Sequence, residues 1–145
     1  LQGIPGTLSW IAQVDAFQHW IYTNPAHTRQ EREAKWLSLN KDYGTGMVDY
    51  TDYMDALTFS WHRQLHIFEV PFYYIEYGFA QLGALGVWNN YLKNGSKAIG
   101  QYKEALTLGY TRSIPEIYKT AGAEFNFSST YISGLMSQIE KELHL

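Results

Sequence analysis

Apolar residues at helical spacing, interrupted at short intervals by helix-stopping residues, govern what this chain can become. Leu8, Ile11, Val14, Phe17 and Ile21 recur three or four apart, with Gln13, Asp15, Gln18 and His19 on other faces, until Asn24-Pro25 ends the pattern. This predicts a helix over 7–22. Thr28 followed by Glu31 is a capping-box pattern, and Trp36, Leu39 and Tyr43 carry the period to Gly44, so a second helix is expected over 29–43. A third is read from Val48 to Phe68, with Asp49, Thr51 and Asp52 as rival caps. It ends ahead of Pro71, because the residue before a proline avoids the helical region.

Pro71 suits the first turn of a fourth and most apolar helix, Phe72 to Leu92, closed by Asn94-Gly95. Ser96 opens a fifth to about Leu108, Ser113 with Glu116 repeats the capping box for a short sixth to Ala121, and Ser128 or Ser129 opens the last. The expectation is an all-α bundle of about seven helices. Ala98, Tyr102, Ala105 and Leu106 resemble one helix of a tetratricopeptide unit, but no second copy follows at a period of roughly 34 residues, and a repeat array is rejected.

Composition narrows the function classes. The 145 residues, 46% hydrophobic and 17% charged, suit one domain or part of one. A net charge of −3 and no basic stripe argue against nucleic acid as a partner. The chain has no cysteine, which excludes a disulfide framework and a thiolate metal site. No apolar run reaches about 18 residues without polar interruption, and no charged segment followed by a hydrophobic run opens the chain, so neither a membrane partner nor a signal peptide is expected. Leu1-Gln2-Gly3 lacks an initiator methionine and leads at once into amphipathic structure, so a piece of a longer chain is expected. The alternative is a processed protein or a trimmed complete domain.

Chemistry concentrates in the middle of the chain. His62 and His66 stand four apart, with Glu69 three beyond, a spacing that can place imidazoles and a carboxylate on one helical face. The zincin signature, however, needs a glutamate directly after the first histidine as general base, and that position is Arg63. Next comes the densest polar-aromatic run, His66-Ile67-Phe68-Glu69-Val70-Pro71-Phe72-Tyr73-Tyr74-Ile75-Glu76-Tyr77-Gly78. On a helix starting near Pro71, Tyr74, Tyr77, Gly78 and Gln81 share a face. Phenols are neutral donors that can aim a hydroxyl at an oxyanion, so tyrosines beside a histidine suit stabilisation of a tetrahedral intermediate. The competing reading is an aromatic core stripe whose hydroxyls find backbone partners. Asp15 with His19 reads as a helix-surface pair, and Asp49, Asp52 and Asp55 as a helix start rather than a calcium loop. Neither a glycine-rich phosphate loop nor a nucleophile elbow occurs.

From His66 to Gln81 the sequence resembles the M3 family of metallopeptidases, in its oligoendopeptidase F and Pz-peptidase branch. Asp15-Ala16-Phe17-Gln18-His19-Trp20-Ile21-Tyr22, Asn24-Pro25, His27-Thr28 and Glu31-Arg32 are similar to that branch, as are Leu108-Gly109-Tyr110-Thr111, Ile114-Pro115-Glu116 and Ala121-Gly122. The resemblance implies a mostly helical enzyme with a deep channel, in which a histidine-glutamate-x-x-histidine helix and a downstream glutamate bind zinc. Those ligands are expected outside this chain, leaving zinc as the cofactor of the full-length enzyme and no metal ligand here. By position, the family's histidine and tyrosines that contact substrate and hydrogen-bond the oxyanion match His66, Tyr74 and Tyr77. Tyr73 rivals Tyr74.

The resemblance thus implies that residues 1–145 are one C-terminal helical segment of a zincin-like oligopeptidase catalytic domain, inactive alone. Short peptides would be the substrates, the missing N-terminal part of the same protein the partner, and the cytoplasm the compartment. The alternative from another class is a non-catalytic helical module whose aromatics form a groove for peptides or partner helices.

Overall fold

The structure, a computed structural model, describes residues 1–144. Among these it is all-helical, with eight α-helices, a 3-10 helix and no strand: α1 (Gly3–Thr23), α2 (Arg29–Tyr43), α3 (Met54–Thr58), the 3-10 helix (Ser60–Arg63), α4 (His66–Glu69), α5 (Ile75–Asn94), α6 (Ser96–Leu108), α7 (Ile114–Thr120) and α8 (Ser129–Leu143). The chain divides into two compact units, Gly3–Gly78 and a second unit of Phe79 onward with Leu1 and Gln2.

In the first unit the apolar stripe of α1 packs on α2. Val14 and Phe17 of α1, Trp36 and Leu39 of α2, and Trp61 and Ile67 form a buried cluster, flanked by Trp10, Ala16, Ile21 and Tyr74. Trp36 is fully buried, edge-on to Trp10 at 5.6 Å and to Phe17 at 5.0 Å. Burial of aromatic surface of this size contributes several kcal/mol, roughly 25 cal/mol for each Å² removed from water. The capping box that opens α2 is present: the Thr28 hydroxyl accepts from the Glu31 N–H at 3.2 Å, and the Glu31 carboxylate accepts from the Thr28 N–H at 2.7 Å.

The expected third helix over 48–68 is not continuous. It is replaced by α3, the 3-10 helix and α4, joined by non-helical residues. Continuation past Thr58 would require the Leu57 carbonyl to accept from the Trp61 N–H. That carbonyl instead accepts from the Trp36 indole N–H at 3.1 Å and the Ser60 hydroxyl at 2.8 Å. A long-range partner therefore captures the acceptor on which the helix depended.

The fourth helix also starts later than expected. Pro71 lies in a turn, Phe72 takes a left-handed backbone with φ 60°, and α5 begins only at Ile75. Tyr74 consequently sits in the turn just ahead of the helix, with its ring still beside that of Tyr77.

In the second unit, α5 packs closely on α7 and α8 through small residues. The Tyr118 hydroxyl of α7 donates to the Phe79 carbonyl at 2.8 Å, and its ring crosses Gly83. Asn90 is buried; its amide donates to Gln101 Oε1 at 2.9 Å and to the Ala121 carbonyl at 3.1 Å, while its oxygen accepts from Asn94 at 2.8 Å. Gly122, at φ 73°, turns the chain against this amide where a side chain would collide with it. The second capping box, Ser113 with Glu116, opens α7 as expected. Ser128 caps α8, and Leu135 and Ile139 face inward. An apolar groove of about 480 Å³ lies along α5, α6 and α7, with Val87, Trp88, Ile99, Tyr102 and Leu106 in its walls.

Candidate active site

His66 is the first residue of α4, and its neighbour Ile67 is buried, which fixes the short helix to the core. Gln64 precedes it in non-helical backbone. The His66 ring is held at both nitrogens: Nδ1 lies 2.7 Å from Gln64 Nε2, and Nε2 lies 3.2 Å from the Tyr77 hydroxyl. Gln64 Oε1 in turn accepts from the Trp10 indole N–H at 3.3 Å.

Three phenols surround this imidazole. Its ring is near-parallel to Tyr73 at 6.1 Å, and meets Tyr74 at 5.0 Å and Tyr77 at 5.6 Å edge-on. Tyr77 also contacts Tyr74 at 5.2 Å and Tyr73 at 5.8 Å. All four side chains singled out in the sequence therefore come together, although Tyr74 does so from the turn ahead of α5 rather than from its face. Tyr73 and Tyr77 are 43% and 45% exposed, whereas Tyr74 is half-buried against the aromatic core. Gly78 is buried beside them, and a Cβ there would stand 3.3 Å from Ile11 Cγ2, so α1 leaves little room for a side chain at this point.

Backbone strain accompanies the cluster. Left-handed backbone costs a non-glycine residue about 1–2 kcal/mol. In that conformation Phe72 lies at the surface against α1, with His19 at 4.9 Å and Tyr22 at 5.0 Å from its ring. The Asp15–His19 pair, 3.5 Å apart, holds that imidazole from below.

The other candidates disperse. His62 lies against Trp61 at 4.1 Å and Phe59 at 5.5 Å, and the Arg63 guanidinium stacks over Trp10 at 5.2 Å, a cation–π contact. Asp49 turns onto Thr51, whose hydroxyl donates to it at 2.6 Å and holds its carboxyl below the usual range. Among the described residues no group of three His, Asp or Glu side chains is placed to hold a metal ion. The His66 ring, with both nitrogens already engaged, does not fit a metal-ligand role.

Sequence reasoning missed Gln64, Trp10 and Phe72. Gln64 and Trp10 stand 54 positions apart, and no local pattern links them. The cluster as a whole is a set of neutral donors, two phenols of it open to solvent, suited to a developing negative charge on oxygen rather than to a cation.

By its fold the chain is an all-helical portion of the oligopeptidase type. It belongs to peptidase family M3, whose model matches residues 2–137. Two solved structures are similar over 94% of this chain: an X-ray structure of a protein assigned as oligoendopeptidase F, with 33% identity and a TM-score of 0.84, and Pz peptidase A with an inhibitor, with 30% identity and a TM-score of 0.80. This chain spans 24% of each of those chains. A comparison with curated protein sequences found no match. Among the described residues no helix is long and apolar enough to cross a membrane.

Proposed function

We propose that this chain is the C-terminal helical part of the catalytic domain of a zinc metalloendopeptidase that hydrolyses short peptides, supplying substrate-binding and oxyanion-stabilising residues. The observation that supports this best is the exposed Tyr77 hydroxyl, 3.2 Å from His66 Nε2 and flanked by Tyr73 and Tyr74. Zinc, implied by the family, would be held by residues outside this chain. Attack of water on a peptide carbonyl moves charge onto the carbonyl oxygen. A phenol already held by an imidazole meets that charge with a donor that needs no reorientation. Tyr77 is the first donor in this reading; Tyr74, braced by the core, or Tyr73, more exposed, is the second. His66 either assists the tyrosines or holds the substrate backbone, and its contact with the Tyr77 hydroxyl favours the first role. The partner is the rest of the same polypeptide, and the compartment the family implies is the cytoplasm.

In the full-length enzyme, Tyr77→Phe is expected to lower kcat by about a hundredfold to a thousandfold with little change in KM. Unchanged turnover would remove Tyr77 from the mechanism. The alternative, a non-catalytic helical peptide- or protein-binding module, draws on the apolar groove of about 480 Å³ beside α6. A reading frame that encodes the paired-histidine zinc motif upstream of Leu1 favours the peptidase, and a frame without it favours the module.

A further inference from the structure

Trp10, Gln64, His66 and Tyr77 form one hydrogen-bonded series, and its first member gives the series a direction. An indole N–H can only donate, so the Gln64 atom that faces Trp10 at 3.3 Å must be the carbonyl oxygen. This places the Gln64 NH₂ group 2.7 Å from His66 Nδ1. An amide NH₂ can only donate, so Nδ1 must be the bare, accepting nitrogen. The neutral ring then carries its proton on Nε2, which donates to the Tyr77 oxygen at 3.2 Å. With its oxygen accepting from His66, the Tyr77 proton has to point away from the imidazole. Tyr77 is 45% exposed, and among the described residues no other side chain accepts that proton.

We propose that Trp10 and Gln64 are positioning residues that select the Nε2–H tautomer of His66 and thereby make Tyr77 a donor toward the substrate. In the opposite tautomer the bare Nε2 would accept a hydrogen bond from the Tyr77 hydroxyl, whose oxygen would then present only lone pairs to the substrate and repel an oxyanion. A tertiary contact between Trp10 of α1 and Gln64, two residues ahead of α4, thus sets the polarity of a hydroxyl on α5. This rests on the reading that Tyr77 donates to substrate, and it adds which residues enforce that role and by which proton.

The test uses the full-length peptidase with ¹⁵N-labelled histidine, the His66 signals being identified by their loss in His66→Gln. The expected spectrum shows Nε2 protonated and Nδ1 bare; a proton on Nδ1 overturns the proposal whatever the kinetics. Gln64→Glu replaces the donor by an acceptor and is expected to move the proton to Nδ1 and to lower kcat about a hundredfold, with KM little changed. Trp10→Phe keeps a ring against Trp36 but frees the amide to turn over, and a mixture of tautomers is expected. An unchanged tautomer in both variants overturns the roles of Trp10 and Gln64. Tyr77→Phe measured alongside separates the two ideas. Full activity in Tyr77→Phe defeats the reading of Tyr77 as donor, whereas impaired Tyr77→Phe beside fully active, proton-inverted Gln64→Glu defeats the positioning role.

Discussion

The Tyr118 ring lies across Gly83, so closely that a Cβ at residue 83 would stand 2.6 Å from the ring's Cζ. The ring cannot easily yield. Its hydroxyl donates to the Phe79 carbonyl at 2.8 Å, Phe125 packs on it edge-on at 5.2 Å, and burial pushes its phenol up, away from ionisation. Alanine in place of a helical glycine gains about 1 kcal/mol of propensity. Overpacking costs about 1–3 kcal/mol and is expected to win here. Gly83→Ala should therefore lower the urea midpoint, while in a Tyr118→Ala background the same substitution should raise it. A stabilising Gly83→Ala in the unaltered chain would show that the ring moves freely.

Asn90 satisfies three groups at once, two by donating and one by accepting. Asn90→Leu strands the buried Ala121 carbonyl and is expected to cost about 1–3 kcal/mol. Asn90→Asp should be worse near neutral pH, because it sets a carboxylate against two acceptors. A protonated carboxyl can donate to one of them, so the Asp variant should regain stability as the pH falls. Thermal melts of both variants across pH check the ordering, and an Asp variant that improves with rising pH would contradict it.

The two capping boxes give stability a common pH dependence. The Glu31 carboxyl lies below its ordinary range because the Thr28 backbone N–H, then its hydroxyl, donates to it; Ser113 does the same for Glu116, hydroxyl first. A carboxylate with a depressed folded value adds stability that is complete above its unfolded value and is lost as the pH falls through the folded one. Acidification through and below the carboxylate range should weaken α2 and α7, and Glu31→Gln with Glu116→Gln should flatten that part of the melting-temperature profile. A profile identical to that of the unaltered chain would exclude the boxes as its source.

Metal analysis of the isolated chain tests whether it holds a metal ion by itself. His62 is turned onto Phe59 and Trp61, and His66 is engaged at both ring nitrogens, so tight stoichiometric zinc is not expected. Neither is peptide hydrolysis. Zinc lost together with activity in His62→Ala would mean that the chain is a self-contained enzyme.

Where a signal was local, it could be read from sequence. Thr28 with Glu31 and Ser113 with Glu116 are three apart, and both boxes formed. The helix over 48–68 was misjudged because the competitor for the Leu57 carbonyl is an indole 21 residues earlier. Pro71 misled in a similar way: Phe72 takes a left-handed turn beside His19 and Tyr22 of α1, and α5 begins only at Ile75, after Tyr74. His66 and Tyr77 stand out in the sequence by residue type and nearness, and in the structure their side chains meet. Trp10 and Gln64 were invisible, since neither has intrinsic reactivity and their meeting depends on the packing of α1 against Trp36.

The contact of His19 and Tyr22 with Phe72 has a practical meaning for anyone who would borrow these tyrosines. Their placement is referenced to the first helix, some fifty residues upstream, rather than to the helix that carries Tyr77. A peptide covering His66 to Gly78, transplanted onto another helical scaffold, would carry the side chains without the surface that measures out their positions. Freed from α1, Phe72 would lose the contacts that accompany its left-handed backbone, a conformation that costs a non-glycine residue about 1–2 kcal/mol. A transplant of this site therefore needs α1 as well as the segment that carries the tyrosines.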